Sequence, residues 1–430
     1  MLEKLFKLEQ HGSNAKTEVM AGVTTFLTMA YIIFVNPAML ADAGMDKGAV
    51  FMATCLAAAA GCFIMGFWAN LPIALAPGMG LNAFFTYGVV LGMGHTWQTA
   101  LGAVFLSGII FALLSAFKLR EMIINAIPGT LKKAIAAGIG AFLALIALKN
   151  SGIIVDHPAT LVGLGDLTSF SPAMALVSFF LVLALVQRNI PGSVMIAVLL
   201  VTIVGLVVGD VTYAGIISAP PSIMPTFLQL DIAAAFNIGM LSVIFAFLFV
   251  DLFDTSGTLI AVTERAGLTD KEGKVPRLGP ALMSDSGATM VGAALGTSST
   301  TSYIESAAGV AAGGRTGLTA VTVGILFLLS MFFSPLAGMI PVYATAGAIL
   351  YVSVLMMHTL KDVDWEDLTE AAPVVVVLLL TPLTFSIAHG ITLGFITYAV
   401  AKVLSGRANE LSISVWVLSA LLLLKIIFVG

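Results

Sequence analysis

Charged residues are scarce in this chain, and their scarcity excludes an ordinary soluble protein. Only 10% of the 430 residues are Asp, Glu, Lys or Arg, whereas a soluble domain has about 25%. Hydrophobic residues make up 59% of the chain, and its mean hydropathy is +1.06. This composition predicts a protein that lies mostly inside a lipid bilayer.

Cysteine and histidine are also too few and too scattered for a disulfide framework or a metal site. Cys55 and Cys62 lie on one predicted apolar span, so we expect buried free thiols. The five histidines have no metal-ligand spacing, and none is near an intramembrane acid in the sequence. We therefore expect no metal, no cofactor and no enzymatic activity.

The chain has instead a series of apolar stretches, each long enough to cross a bilayer as a helix. They predict an all-α polytopic membrane protein with about 14 transmembrane segments. The predicted segments are 17–37, 48–69, 75–92, 97–117, 130–149, 171–187, 190–209, 238–263, 279–295, 297–313, 317–337, 341–358, 371–387 and 389–404. A further apolar stretch, 412–429, either crosses the bilayer or lies along its surface.

The distribution of basic residues predicts the orientation. Residues 1–16 lack an apolar core, so they form a cytoplasmic segment rather than a cleavable signal peptide. With the N-terminus inside, all of the 19 basic residues except Lys47, Lys149 and Lys425 lie in cytoplasmic segments. We expect a multi-pass protein of the plasma or inner membrane with a cytoplasmic N-terminus.

The third segment of each half contains a stretch that is unsuited to regular helix. Two prolines and two glycines crowd the start of residues 71–92, and hydroxyl residues fill 297–301 in the tenth segment. Extended backbone at membrane depth is tolerated only inside protein or beside a cavity. Segments 3 and 10 are therefore predicted to be discontinuous helices. The alternative for segment 10 is a regular helix whose hydroxyls bond to their own carbonyls.

Three intramembrane acids mark the candidate site. Asp251 and Asp254 share a face of segment 8, and Glu305 follows the hydroxyl run of segment 10. An ionised acid at the bilayer centre costs at least roughly 2.5–3.5 kcal/mol, so such residues are functional by default. We assign Glu305 and Asp251 to substrate binding and Asp254 to proton coupling or support, although the pattern does not decide which aspartate contacts substrate. The alternative is a structural role, such as capping segment 10.

Four other residues complete the predicted substrate site. Asn82, in the broken segment 3, offers both a donor and an acceptor. Phe84 and Tyr303 flank these positions and can stack on a planar ring, although aromatic residues at such spacing more often serve packing. Thr301 belongs to the hydroxyl run of segment 10.

Two more residues are assigned to proton coupling or support. Asp285 is a fourth membrane-depth acid, surrounded by small residues that favour helix packing. An offset of 223 residues aligns Thr28 with Asp251 and Asn82 with Glu305. Seven segments precede residues 210–237 and seven follow, so this alignment is the trace expected of an inverted repeat.

Four stretches resemble a known family. "GVTTFLTMAYIIFVNPAML", "APGMGLNAFF", "FVDLFDTSGTL" and "TSYIESAAG" are similar to signature stretches of the AzgA-like purine permeases, in the nucleobase–ascorbate transporter superfamily. The similarity extends in order and spacing through about residue 404. It implies a 7+7 inverted repeat with a core domain and a gate domain, and a short strand in each broken segment.

The resemblance also implies a function and domain boundaries. The function is uptake of adenine, guanine or hypoxanthine by proton symport, with the purine between segments 3 and 10. The implied functional positions are Asn82, Asp251, Asp254 and Glu305. The domains are the cytoplasmic segment 1–16, the core 17–117 and 238–337, the gate 118–209 and 338–404, and an apolar C-terminal segment 405–430.

Other functions remain open at this stage. A sibling carrier could take uracil, xanthine or urate, and a relative of the same fold could carry an anion, although three acids argue against an anion. A channel would need a continuous polar lining, and a membrane enzyme would need a nucleophile and a base. The sequence does not decide which purine is preferred, whether protons or the less favoured sodium couple, or whether two copies form a homodimer. No nucleic-acid partner is expected.

The sequence also suggests how the protein moves. Small residues in segment 5, including Gly138 and Gly140, and in segment 12, including Ala346 and Gly347, could form smooth surfaces on which the core slides past the gate. The alternative is that these residues allow close, static helix packing.

Overall fold

The computed structural model describes residues 2–117, 127–269, 275 and 277–428. Fourteen apolar segments occupy the predicted positions. Their bounds are Ala15–Asp42, Lys47–Ala69, Leu75–Pro77 with Met79–Gly92, Trp97–Ala116, Gly129–Asn150, Phe170–Gln187, Ser193–Val208, Ile238–Arg265, Leu278–Leu295, Thr300–Ser302 with Ser306–Ala311, Gly317–Met339, Val342–Asp362, Leu368–Leu383 and Ile387–Leu404. Nine of the described helices are long and apolar enough to cross a membrane, so this is a multi-pass membrane protein.

Shorter elements connect and flank these segments. They are the helices Leu2–Phe6, Glu9–His11, Ile232–Ala235 and Ala408–Glu410, the last helix Ile413–Phe428, and an antiparallel hairpin of strands β2 (Ile154–His157) and β3 (Leu161–Leu164). The boundary of the expected gate at residue 118 and the basic residues Lys118, Arg120, Lys271 and Lys274 lie outside the described residues.

Two short strands cross near the centre of the bundle. Strand β1 (Leu75–Pro77) of segment 3 pairs antiparallel with strand β4 (Thr300–Ser302) of segment 10, with Ala76 opposite Thr301. Gly78 is required beside this crossing, because a Cβ atom there would lie 2.9 Å from the Thr301 hydroxyl oxygen. The prediction that segments 3 and 10 are discontinuous and contain short strands is confirmed.

Segment packing divides the bundle into two groups. In the first group, segments 1, 2, 4, 8, 9, 10 and 11 pack against one another, and segment 3 contacts them through both β1 and its helix, which also contacts segment 5. In the second group, segment 5 packs on segments 12 and 13, segment 6 on segments 7 and 12, and segment 13 on segment 14. Because the crossing strands both belong to the first group, that group contains most of the candidate site.

The prediction that the glycines of segments 5 and 12 form a sliding surface is wrong. A Cβ atom at Gly138 would meet Val377 of segment 13, and one at Gly140 would meet Ser353 of segment 12. A Cβ atom at Gly347 would meet Ser178 of segment 6. All three glycines therefore allow close packing inside the second group, where the sequence could not reveal their partners.

The last apolar helix, Ile413–Phe428, folds back along segment 14. The Ser419 hydroxyl donates to the carbonyl of Phe395, in the middle of segment 14, at 3.2 Å, and Val415 is buried. The helix therefore packs at membrane depth beside segment 14, which favours the crossing alternative. Cys55 and Cys62 are buried and free, as predicted.

An ionic cluster holds the turn between segment 14 and this last helix. The buried Lys402 ammonium lies 2.7 Å from Glu370, 2.8 Å from Glu410 and 3.8 Å from Asp367. Hydrogen bonds from Arg407 and Lys402 lower the pKa of Glu410 to about 2. The cluster joins the start of segment 13 to the end of segment 14.

Candidate functional site

A short helix follows each of the crossing strands, at opposite ends of the antiparallel pair. The helix of segment 3 begins at Met79 without a side-chain cap, so its first backbone N–H groups have no partner within the helix. Asn82 lies in its first turn, fully buried, and neither its amide nitrogen nor its amide oxygen has a hydrogen-bond partner among the described residues. An unsatisfied buried amide is costly, which points to a ligand that completes it.

Glu305 stands at the start of the segment 10 helix, and its carboxylate is half-buried. It does not cap its own helix. The Tyr31 hydroxyl donates to Glu305 Oε1 at 2.5 Å, and the Thr28 hydroxyl lies 3.4 Å from the Glu305 backbone carbonyl. Segment 1 therefore holds Glu305 through both its side chain and its main chain.

Asp251 lies behind β4 in a hydroxyl network rather than in the open. It is 1% exposed, and its two carboxylate oxygens accept from Thr255 and Thr289, each at 3.4 Å. Each hydroxyl shares its one proton with a nearer acceptor: Thr255 with the buried Asp285 at 2.7 Å, and Thr289 with the backbone carbonyl of Thr300 in β4 at 3.1 Å. Asp251 and Asp285 are thus tied to the rear of the strand.

Asp254 has a different environment, although it is only one helical turn from Asp251. Its carboxylate is half-buried and makes no hydrogen bond to a described residue. It lies close enough to Glu305 and Asp285 for the carboxylates to repel each other when ionised. Within the described chain, no lysine, arginine or histidine forms a salt bridge with Asp254 or Glu305.

The predicted aromatic and hydroxyl residues surround the strands. Tyr303 is buried, and its hydroxyl donates to the Pro77 carbonyl of β1 at 2.6 Å, which ties the two strands together. Phe84 is fully buried, with its ring centroid 5.0 Å from that of Phe247. Thr301 is 1% exposed at the centre of β4.

The structure adds residues that the sequence did not reveal. Tyr31 has no charged residue near it in the sequence, so nothing there indicated that it contacts Glu305. Tyr351, from segment 12 of the second group, is half-buried and close enough to Glu305 to interact electrostatically. Glu18 is a further fully buried acid; it accepts from the backbone N–H groups of Arg315 and Thr316, which stabilises the start of segment 11.

A second polar cluster lies at the end of the bundle opposite the N-terminus. There the Tyr87 hydroxyl donates to Asp42 at 2.6 Å, and the Asn150 amide donates to the Tyr87 hydroxyl at 2.7 Å. Asp42 and Tyr87 belong to the first group and Asn150 to the second. The three residues border a cleft of about 30 Å³ between the groups, which Ala346 also lines. We call this the outer cleft.

A protein metal site usually needs at least three His, Cys, Asp or Glu side chains close together. The described part of the chain contains no such cluster. The chemistry of the site is instead that of carboxylates, one amide and free helix N–H groups. These can accept from and donate to a flat, neutral, hydrogen-bonding molecule.

Comparison with known proteins agrees with this architecture. The adenine permease AdeP of Escherichia coli (strain K12) is 52% identical, with 100% of this chain and 96% of that protein covered. The guanine/hypoxanthine permease PbuG of Bacillus subtilis (strain 168) is 45% identical, with 99% and 100% covered. Both matches extend over nearly the whole of each chain.

A solved structure has the same fold. The transmembrane domain of the cyanobacterial bicarbonate transporter BicA matches with a TM-score of 0.68 at 16% identity, covering 87% of this chain and 97% of that one. This likeness confirms the predicted fold class, an all-α membrane protein of the 7+7 type. A family model described as "Permease family" matches residues 16–427. The motif resemblance is therefore confirmed, and the chain belongs to this permease family.

Proposed function

We propose that this protein is a secondary transporter, not an enzyme, and that it takes up purine nucleobases bound between segments 3 and 10. The observation that carries the proposal is the unsatisfied buried amide of Asn82 in one broken segment, together with two half-buried carboxylates, Glu305 in the other broken segment and Asp254 in segment 8. A purine has adjacent donors and acceptors on its edges, and carboxylate and amide side chains recognise such edges.

The two aspartates of segment 8 take different parts in this proposal. Asp254 faces the base, because it is half-buried and its oxygens are not used by the protein. Asp251 supports β4 from behind, because it is 1% exposed and lies against the hydroxyls of Thr255 and Thr289, the second of which also bonds β4. This is the reverse of the sequence-based assignment, and burial is the reason.

The remaining predicted residues shape the site. Tyr303 joins the two strands, so its ring is fixed beside the base rather than free to adjust. Phe84 and Thr301 form the floor of the proposed purine site. Asp285 supports the hydrogen-bond network around Asp251. Thr28 supports the backbone carbonyl of Glu305. Tyr351 provides the wall from the second group.

Coupling to protons follows from the charge of the site. Two half-buried carboxylates without a basic partner among the described residues repel each other, so loading one proton together with a neutral base is favourable. Sodium is the second candidate for the coupling ion. An anion such as bicarbonate, the cargo in the name of the structural relative, would be repelled by the same carboxylates.

We also propose that the first group of segments is the moving core and the second is the gate. The protein lies in the cell membrane with its N-terminus in the cytoplasm, so the outer cleft faces outward. Asn150 there joins gate to core by hydrogen bonds that any relative movement must break. The Asp42–Tyr87–Asn150 cluster therefore closes the outward path in this conformation.

Uptake in cells that lack their own purine carriers tests the proposal. Radiolabelled adenine is the first substrate, because the adenine permease has the higher identity of the two relatives. We expect saturable uptake that unlabelled purines compete with and that a protonophore abolishes. Uptake that a protonophore leaves unchanged, but that stops without sodium, would contradict proton coupling. Failure of every purine to enter would contradict the function itself.

A further inference from the structure

Segment 1 has a locally tightened helical turn where it contacts Glu305. Its two helices are Ala15–Met29 and Ile32–Asp42, and Tyr31 lies in the turn between them. Tyr31 is 2% exposed, so its ring is fixed by packing, and its hydroxyl is directed at Glu305 Oε1. Segment 1 thus presents one buried hydroxyl donor to one carboxylate oxygen of Glu305.

A phenol hydroxyl has a single proton to donate, and here it is used on Oε1. The Glu305 carboxylate also accepts from its own backbone N–H group, but no described side chain other than Tyr31 donates to it, so no side chain occupies Oε2. Other hydroxyls nearby cannot replace Tyr31: that of Tyr303 donates to Pro77, and that of Thr28 donates to main-chain carbonyls.

We propose that Tyr31 is a positioning residue that reserves Glu305 Oε2 for the purine and for the transported proton. The inference deepens the proposed function and depends on it. With Oε1 held by Tyr31, a proton binds at Oε2. The ionised Oε2 accepts an N–H group of the base, whereas the protonated Oε2–H donates to a ring nitrogen. Proton binding therefore changes the edge of the base that Glu305 recognises.

Other titratable groups face Glu305 and must be separated from this effect. They are Asp254 on segment 8, Tyr303 after β4 and Tyr351 on segment 12, and Asp285 acts on Asp254. None of them is close enough to Glu305 to form a hydrogen bond in the described structure. Tyr31 is the group whose removal alters the Glu305 carboxylate directly.

The test is adenine binding to the purified protein, measured by calorimetry from pH 5 to pH 8. Tyr31→Phe should weaken binding about ten-fold at pH 7, because it removes a charge-assisted hydrogen bond that orients the carboxylate. The donated hydrogen bond stabilises the ionised carboxylate, so its loss should move the midpoint of the pH dependence upward by about one pH unit.

A matched control is Tyr398→Phe. Tyr398 lies in the C-terminal half of segment 14, and the substitution removes a hydroxyl that lies 3.4 Å from Glu370. This variant should bind adenine as wild type does, with the same midpoint. In a Glu305→Gln background, Tyr31→Phe should no longer move any midpoint, because the titrating partner is gone.

A second probe covers the case in which Tyr31→Phe does not fold, as judged by gel filtration. 3,5-Difluorotyrosine incorporated at position 31 keeps the shape and donates a stronger hydrogen bond, so the midpoint should move downward. A variant that weakens binding equally at every pH, with an unchanged midpoint, would overturn the inference. A shift that persists in the Glu305→Gln background would overturn it too.

Failure of the inference can be distinguished from failure of the proposed function. If the wild-type protein binds no purine, the proposed function itself fails. If wild type binds adenine with a pH dependence that Glu305→Gln removes, while Tyr31→Phe behaves as wild type, only the role of Tyr31 is wrong.

Discussion

Replacing Glu305 by glutamine tests the proposed substrate contact directly. The substitution keeps the shape and an oxygen for Tyr31, but it removes the charge and turns an amide NH₂ group toward the base. A hydrogen bond to a charged acceptor contributes about 1.5–3 kcal/mol. Because Glu305 is half-buried rather than sealed from water, the lower part of this range applies, about 1.5–2 kcal/mol. That corresponds to a roughly 10- to 30-fold weaker affinity for adenine.

The assay has two arms and one control. Adenine binding to purified protein gives the affinity, and accumulation in proteoliposomes with an imposed pH gradient gives the coupling. The matched control is Glu264→Gln, which removes an exposed negative charge at the end of segment 8. We expect the control to match wild type in both arms. Wild-type affinity together with wild-type accumulation in the Glu305→Gln protein would refute the reasoning.

Three further predictions follow from neighbouring features. Asp254→Asn should weaken adenine binding about ten-fold in the same assay. Asp251→Asn should bind adenine with near-wild-type affinity but unfold at a lower temperature. The reverse pattern would restore the sequence-based assignment. Asn150→Ala should destabilise the closed state of the outer cleft by about 0.5–1.5 kcal/mol. A membrane-impermeant maleimide should then label a cysteine placed in the cleft roughly 2- to 10-fold faster. An unchanged labelling rate would exclude Asn150 as a closing contact. Lys402→Met should lower the free energy of unfolding in detergent by about 2 kcal/mol. The loss is smaller than for a fully buried ion pair, because the carboxylate partners of Lys402 are partly exposed. A melting temperature like that of wild type would contradict this.

The ionic cluster also has a defined pH dependence. The pKa of Glu410 is lowered to about 2 by its bonds to Arg407 and Lys402. A carboxylate with a depressed pKa contributes stability above its unfolded value, near 4.5, and loses it as the pH falls toward 2. The difference in stability between wild type and Lys402→Met should therefore be constant above pH 5 and shrink in more acidic solution.

The segments and their two interruptions were predictable because both depend on local chemistry. Apolar length fixes which stretches can cross a bilayer, and the prolines and glycines before Asn82, like the hydroxyls before Glu305, cannot form ordinary membrane helix. Each of these signals can be read from a short stretch of the sequence alone. The pairing of β1 with β4 was not predicted from the sequence, because it joins residues more than 200 positions apart.

The roles of individual side chains depend on packing that the sequence does not contain. Asp251 and Asp254 share a helix face, and only the rotation of segment 8 against β4 decides that Asp251 is enclosed by threonines. Tyr31 lies far from any charged residue in the sequence, so its contact with Glu305, 274 residues away, could not be read from the local pattern. Gly138 and Gly140 indicated that close helix contacts exist in segment 5, but the sequence did not show which helices make them.

The most direct measurement is an experimental structure of the protein with adenine bound. The base should lie between the ends of β1 and β4, with Glu305 Oε2 and an oxygen of Asp254 within hydrogen-bond distance of its edge and with the Asn82 amide satisfied. Tyr31 should still donate to Oε1, and Asp251 should remain enclosed behind the strand. Adenine bound at any other place, with the Asn82 amide and the two carboxylates left without contact to the base, would contradict the account.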